Sequence, residues 1–236
     1  MSEVKYGIEP IVVGNMPIKD DEMHFILYMP VVIPERPIKL ENMIIRSPIV
    51  EEIQRRLPQH LEVLGNMIVT AMIYEKLNMH NDFPYWYITS KNIHVTPDNM
   101  ANRPGWHSDG YGTTDVNYIW MNQTPTEFAI QKFTDLSSDH SVSLKQFDEQ
   151  VHHKNIKQYG VDNLIRIDEQ HIHRVPLSDY AGMRHFIKIS GSHHKFNLAG
   201  NAHNDRLYYN WKMYSRDELR NMESVEDNSD YVDDNE

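Results

Sequence analysis

The apolar positions in the first third of the chain form one short run followed by helical repeats. Residues 23–33, MHFILYMPVVI, end in the proline-rich IPERPIK, which predicts a strand followed by a turn. Residues 47–56 open on Ser-Pro, a typical N-cap and first-turn proline, and predict a helix. Apolar side chains near helical spacing predict further helix over residues 60–77. We therefore expect a helical buttress over about residues 47–78, packed against a sheet.

From residue 85 the pattern changes to short strands separated by turn residues. Strands are predicted for WYITSKNIHV, VNYIWMN, TEFAIQKF, NLIRID, HIHRV and RHFIKIS, and a helix is predicted over residues 144–160, LKQFDEQVHHKNIKQYG. Ser215 with Glu218 three residues later is a capping-box signature for a last short helix. Many short strands favour an antiparallel sandwich or jelly roll flanked by helices, in one domain without internal repeats.

The composition is compatible with a single folded domain. The chain has 236 residues, of which 40% are hydrophobic, enough for a sizeable core. There is no cysteine, which excludes disulfides, thiolate zinc sites and cysteine nucleophiles. No apolar run approaches the length of a membrane span, and the start MSEVKYGIEP lacks the features of a signal peptide. We therefore expect a cytoplasmic protein without a membrane partner.

The negative charge is concentrated at the end of the chain. Of the formal net charge of −11, seven acidic residues lie in residues 223–236, which contain no Lys or Arg; −11 + 7 leaves −4 for the rest. This segment is expected to be a disordered acidic tail. The remainder has no basic stripe of the kind that a phosphate backbone requires, so nonspecific nucleic-acid binding is disfavoured, although a local patch is compatible with the sequence.

A His-x-Asp pattern occurs three times, whereas composition alone predicts about one occurrence. His80-Asn81-Asp82 and His203-Asn204-Asp205 have the sequence context of a turn and a loop, where such residues are common. His107-Ser108-Asp109 lies in the loop NRPGWHSDGYG between two predicted strands. On an extended segment His107 and Asp109 project to the same side, so both can bind one ion. They are two thirds of the 2-His-1-carboxylate triad that holds Fe(II) with open positions.

The second histidine is expected from HIHRV, where His171 and His173 alternate with Ile172 on a predicted strand and both remain candidates. Arg184 follows His173 by 11 positions, across the turn LSDYAGM and on a further apolar strand. A guanidinium held beside a metal site suits a bidentate contact with a carboxylate, which indicates an anionic cosubstrate.

These segments resemble the Fe(II)/2-oxoglutarate-dependent dioxygenases. NIHVTPDNMANRPGWHSDGYG is similar to the strand, proline-containing loop and G-x-H-x-D-x-G segment of that family, and HRVPLSDYAGMRHFIKIS resembles its distal H-R...R-x-F-x-[KR]-[IL]-S ending. The resemblance covers about residues 85–192. It implies a double-stranded β-helix, a cupin-like jelly roll, within an oxygenase domain over residues 1–222 that includes a C-terminal extension from residue 193.

By position, the resemblance implies His107, Asp109 and His173 as metal ligands and Arg184 as the partner of the distal carboxylate of 2-oxoglutarate. His171 is the substitute for His173, although the dipeptide His173-Arg174 fits the family ending better. Asn92 lies where related enzymes have a polar cosubstrate-binding residue. Two further positions depart from the family: His94 replaces a frequent Tyr, and Phe186 replaces the Ser of plant-type members.

The implied reaction is oxidative decarboxylation of 2-oxoglutarate to succinate, coupled to hydroxylation of a C–H bond. The substrate stays open among a small molecule, a protein side chain and a modified nucleobase, and the oligomeric state is not determined. Trp106, Trp120 and Arg103 are too few to indicate a base-flipping enzyme. The alternatives are a non-catalytic jelly-roll protein with a binding or structural role, and a metal-dependent hydrolase that uses the same ligands. Only the oxygenase requires Arg184.

Residues 193–222 are rich in Asn, Tyr, His and Trp, and they resemble uncharacterised oxygenase-like proteins of bacterial viruses, which would place the protein in the host cytoplasm. One interpretation is structural: Leu207, Trp211 and Met213 pack the terminal segment on the sheet. The other is a substrate-side lid, with Asn201, His203 or Asn204 near the mouth of the site.

Overall fold

The structure, a computed structural model, describes residues 6–18, 25–39, 46–100, 105–215 and 218. It has a mixed α+β architecture dominated by antiparallel sheets, which confirms the coarse prediction of fold class. The predicted acidic tail and Arg103 lie outside the described residues. Within the described part of the chain, no helix has the length and apolar character needed to cross a membrane.

The described residues form nine strands and three α-helices. In chain order these are β1 (Ile11–Asn15), β2 (Ile26–Val32), α1 (Arg46–Arg56), α2 (Gly65–Tyr74), β3 (Tyr85–Val95), β4 (Val116–Met121), β5 (Glu127–Ala129), α3 (His140–Gln150), β6 (Ile156–Gln158), β7 (Asn163–Asp168), β8 (His173–Arg174) and β9 (Gly182–Ser192). A six-stranded sheet has the order β1-β7-β4-β9-β3-β2, and a three-stranded sheet has the order β6-β5-β8.

The chain divides into two compact units, and each is described separately. Among the described residues, unit 1 comprises 6–18, 92–100 and 105–186, and unit 2 comprises 25–39, 46–91, 187–215 and 218. The expectation of a single domain over residues 1–222 stays a prediction.

In unit 1, β7 pairs with β1 on one side and with β4 on the other, both antiparallel. The segment NLIRID forms β7 as predicted, because four consecutive buried positions suit a strand covered on both faces. In the three-stranded sheet, β5 pairs with β6 and β8, so that Phe128 lies opposite His173. An apolar cluster joins the two sheets; its buried members are Ile119, Met121, Phe128, Ile165 and Ile167.

The predicted helix over residues 144–160 is wrong beyond Gln150. The helix α3 begins earlier, at His140, because the Asp139 side chain caps it by accepting from the backbone N–H groups of Ser141 and Val142. Residues Ile156–Gln158 then form β6, since pairing with β5 satisfies their backbone and overrides a local pattern that fits a helix.

In unit 2, the predicted helical region is confirmed: α1, a 3₁₀ turn over Gln59–Leu64, α2 and a π-helical turn over Glu75–Met79 follow one another. Its periodic apolar side chains are buried; they include Ile53, Leu57, Leu61, Leu64, Ile68 and Met72. The predicted capping box is also present, because Ser215 N–H donates to Glu218 Oε2 at 2.7 Å and Glu218 N–H to Ser215 Oγ at 3.2 Å.

The C-terminal segment of unit 2 is attached to β2 and α1. Ala202 N–H donates to the Leu27 carbonyl at 2.7 Å. The buried Asn204 amide donates to the carbonyls of Pro30 at 2.6 Å and Arg56 at 3.0 Å. Leu207 is buried, as the structural interpretation predicted, whereas Met213 is 38% exposed. Asn204 is therefore a fixed packing residue within unit 2.

Candidate metal site

The two histidines of the predicted site meet through their backbones. His107 N–H donates to the His173 carbonyl at 3.0 Å, and His173 N–H donates to the His107 carbonyl at 2.9 Å. This reciprocal pair fixes the two residues directly opposite each other. Their imidazole rings have centroids 4.5 Å apart.

The loop that carries His107 and Asp109 is fastened on both sides of the pair. Trp106 N–H donates to the Asp148 carboxylate at 3.0 Å, and the buried Ser108 hydroxyl donates to the Glu169 carbonyl at 2.5 Å. After Asp109 the chain reverses at Gly110, whose φ of +73° is left-handed. A Cβ there would lie 2.8 Å from Thr113 Oγ1, so both the backbone conformation and the space favour glycine.

One nitrogen of His107, one of His173 and one oxygen of Asp109 lie within 4.8 Å of one another, close enough to bind a single ion. His107 Nε2 is 4.0 Å from Asp109 Oδ1. His173 is 6% exposed, and the side chains of His107 and Asp109 are 14% and 24% exposed. The group is therefore open to solvent on the side of His107 and Asp109 and closed behind His173.

Backbone carbonyls orient both imidazoles. His107 Nδ1 is 3.1 Å from the Gly105 carbonyl, and His173 Nδ1 is 2.9 Å from the His171 carbonyl. Since a carbonyl only accepts, each contact selects the tautomer with a proton on Nδ1. The lone pair is then on Nε2, which is the arrangement that metal-binding histidines have.

Burial favours the neutral form of His173. Desolvation, aided by the neighbouring His107 imidazole and opposed by Asp109, lowers its pKa to about 4. A neutral imidazole at physiological pH is the form that binds metals.

The expectation that His171 and His173 face one way on a strand is wrong. The strand β7 ends at Asp168, a turn follows, and β8 begins only at His173. The His171 ring turns back to Asp168, with Nδ1 at 2.8 Å from Oδ1. Asp168 also accepts from Arg166 at 2.9 Å, and these hydrogen bonds and charges hold its pKa at about 2 in spite of burial. His173, not His171, therefore joins His107 and Asp109.

Arg184 is a buried cation in the same unit. It is 2% exposed, its Nε–H donates to the Gln123 carbonyl at 3.3 Å, and its guanidinium lies 5.3 Å from the centroid of Phe186. Burial lowers its pKa to about 10, so it stays protonated at neutral pH. Phe186 packs on the apolar cluster that contains Phe128, whose ring centroid is 5.9 Å from that of His173.

Asn92, the other predicted cosubstrate residue, lies on β3 in unit 1. Its side-chain oxygen is buried and has no hydrogen-bond partner in the structure. A buried acceptor without a partner is costly, and a bound ligand is one way to satisfy it. Its role stays a prediction, and His94 two residues along is exposed.

The other two His-x-Asp patterns form no such cluster among the described residues. His80 has a left-handed φ of +57° and ends the π-helical turn, while Asp82 pairs with Lys76. His203 Nε2 and Asp205 Oδ1 lie 3.4 Å apart, and both side chains are exposed.

Comparisons of the chain with models of protein families, with curated proteins and with solved structures gave no match.

Proposed function

We propose that this chain is an Fe(II)- and 2-oxoglutarate-dependent oxygenase built on a jelly-roll core. The observation that carries the proposal is the convergence of His107, Asp109 and His173 within 4.8 Å. Two imidazoles and one carboxylate are the donor set of non-haem iron sites, which leave adjacent coordination positions open.

The donor residues fit a divalent metal. Both imidazoles have the tautomer that leaves Nε2 for coordination, and His173 is neutral because of its burial. Asp109 supplies the anionic oxygen. His107, Asp109 and His173 would hold the iron, while the fixed backbone pair between the histidines and the fastened loop around Asp109 would keep their spacing before the ion arrives.

Arg184 and Asn92 are the proposed contacts for 2-oxoglutarate. The Arg184 guanidinium is charged and almost free of solvent. Its electrostatic attraction to a bound carboxylate would therefore be stronger than that of an exposed arginine. Asn92 offers a buried amide oxygen that lacks a partner. When bound, iron and 2-oxoglutarate would supply the oxidative chemistry that hydroxylates a C–H bond. Phe128, beside His173, would help to exclude water from the inner side of the site.

The decisive experiment is anaerobic addition of Fe(II) and 2-oxoglutarate to purified protein. We expect a weak visible charge-transfer band, because chelation of 2-oxoglutarate needs two adjacent open positions on the metal. After oxygen is admitted, slow formation of succinate is expected even without substrate. If iron-loaded protein gives neither the charge-transfer band nor succinate, the proposal is overturned and the non-catalytic jelly-roll alternative is favoured.

Variants of Arg184 separate the oxygenase from a metal-dependent hydrolase. Arg184→Ala should keep iron but require a higher 2-oxoglutarate concentration for both signals, and Arg184→Lys should be intermediate because an ammonium lacks the planar fork. His203→Ala, which alters an exposed His-x-Asp pair, should behave as the unaltered protein. A metal-loaded protein whose 2-oxoglutarate affinity is unaffected by Arg184→Ala would favour the hydrolase, which has no use for this residue.

A further inference from the structure

Residues 193–214 of unit 2 differ in charge and composition from the rest of the chain. They contain three basic residues, Lys195, Arg206 and Lys212, and one acidic residue, Asp205, so their formal charge is +2 in a chain of −11. Five of these 22 residues are Phe, Tyr or Trp, compared with 10% of the whole chain. A local positive charge among aromatic rings suits a ligand that is both anionic and planar.

The rings of this segment form a continuous series. The centroids of His203 and Tyr209 are 4.5 Å apart, and those of Tyr209 and Trp211 are also 4.5 Å apart. Trp211 continues to Tyr85 of β3 at 5.9 Å. Lys195 Nζ lies 5.7 Å from the Trp211 ring, and Lys212 Nζ lies 4.5 Å from the Tyr214 ring. Cations and ring faces therefore occur side by side.

Tyr208, the chain neighbour of Tyr209, is the most exposed aromatic side chain of residues 193–214. It is 82% exposed, and its φ of +52° is left-handed, a conformation that an aromatic residue rarely adopts. Neither burial nor backbone preference favours a tyrosine there. Exposure combined with an unfavourable backbone conformation points to a role in binding.

The backbone beneath these side chains is fixed. The Asn204 side chain holds the segment to Pro30 and Arg56, and Asn204 N–H donates to the Tyr209 hydroxyl at 3.1 Å. At the other end, Tyr214 N–H donates to the Asn197 carbonyl at 2.9 Å. The rings are thus presented on a preorganised surface, which lowers the entropy cost of binding.

We propose that this aromatic platform, His203, Tyr208, Tyr209 and Trp211 with Lys195, Arg206 and Lys212, binds single-stranded nucleic acid. Exposed bases stack on the rings, Tyr208 foremost, and the three cations contact phosphates. Single strands are favoured over duplex because the bases of a duplex are already stacked on each other. The proposal concerns unit 2 and does not rest on the metal site of unit 1.

The test is fluorescence anisotropy of a fluorescein-labelled 15-nucleotide oligo(dT) with the full chain at 50 mM salt. We expect binding that weakens with salt with a logarithmic slope of about −2, the value for three phosphate contacts on a single strand. A duplex of the same length should bind more weakly. No binding at 50 mM salt, or equal binding of the duplex, would overturn the proposal.

Matched variants identify the surface. Tyr208→Ala and Tyr208→Leu should weaken binding about fivefold or more, and Tyr208→Phe should keep it, because the ring does the stacking. Leu177→Ala is the control, since Leu177 is equally exposed at 82% but lies in unit 1. Lys212→Gln should reduce the salt slope by about 0.7, unlike Lys132→Gln at an exposed lysine of unit 1.

Two outcomes of these variants separate the proposals. If Tyr208→Ala and Tyr208→Leu lose no more affinity for the oligonucleotide than Leu177→Ala, the platform is not the binding surface. His107→Ala should leave oligonucleotide binding unchanged while it abolishes the iron-dependent signals. The two proposals therefore fail independently.

Discussion

His107 and His173 are 66 residues apart in the chain and are joined by two reciprocal backbone hydrogen bonds of 3.0 and 2.9 Å. Main-chain pairing therefore holds the two histidines of the candidate metal site opposite each other. Such preorganisation is what a metal site with few protein ligands needs, because each misplaced donor costs affinity.

Loss of one ligand should abolish tight metal binding. We expect Asp109→Ala or His107→Ala to weaken Mn(II) binding to the apo-protein by more than the roughly 10- to 100-fold typical of an outer-shell partner. Calorimetry measures the affinity directly. Asp205→Ala and His203→Ala are matched controls, because they alter a His-x-Asp pair of the same spacing whose groups lie 3.4 Å apart. Equal losses in both sets of variants would contradict the assigned ligands.

The stability of the metal-free protein should fall as the pH is lowered from 7 to 4. The pKa of His173 is about 4 in the folded protein and 6.5 in a model peptide, so the unfolded chain takes up the proton first. The difference of 2.5 units corresponds to at most about 3 kcal/mol of the free energy of unfolding. Urea denaturation with a chelator present, repeated across this range, measures it.

Two variants assign this pH dependence. His173→Gln removes the titrating group and should flatten the profile between pH 7 and 4, where His107, Asp109 and His171 remain as its charged or titratable neighbours. Asp168→Asn should alter the stability profile at lower pH. The pKa of Asp168 is depressed from 3.8 to about 2, and its contribution to stability is lost as the pH falls through that window. An unchanged slope in His173→Gln would contradict the assignment.

Gly110→Ala should destabilise the loop that carries Asp109. A left-handed φ costs an alanine about 1–2 kcal/mol, and the added Cβ would also lie 2.8 Å from Thr113 Oγ1. Gly112→Ala separates the two causes, because Gly112 has a φ of +75° but nothing within 4 Å of an added Cβ. In thermal unfolding, the midpoint should be highest for the wild type, lower for Gly112→Ala and lowest for Gly110→Ala. A midpoint of Gly110→Ala equal to that of Gly112→Ala would show that the contact with Thr113 is unimportant.

Elements that depend on neighbouring residues are predictable from this sequence. The strand NLIRID, the helical region after residue 47 and the Ser215–Glu218 capping box each depend on neighbouring residues, and each is present. The residues chosen for the metal site also converge, because His-x-Asp between strands has a direct geometric meaning.

Elements whose conformation is determined by tertiary contacts are not predictable in this way. Nothing near Ile156 reveals its pairing with Ala129, and the pattern there continued to resemble a helix. His171 stayed open as a substitute for His173, because the turn after Asp168, where the His171 ring contacts the Asp168 carboxylate, is not apparent from the strand-like alternation of the sequence. The anchors Asp148 and Glu169 were missed because they lie 42 and 61 residues from the Trp106 and Ser108 groups that they hold.

The hydrogen bonds from the C-terminal segment to β2 also bear on self-association. β2 lies at one end of the six-stranded sheet, and an unpaired strand edge is a template for pairing with another chain. Pro30 has no N–H to offer such a strand, and the carbonyls of Pro30 and Leu27 already accept from Asn204 and Ala202. Residues 202–204 therefore act as a cover for this edge, and a chain cut short before them would expose a surface prone to aggregation.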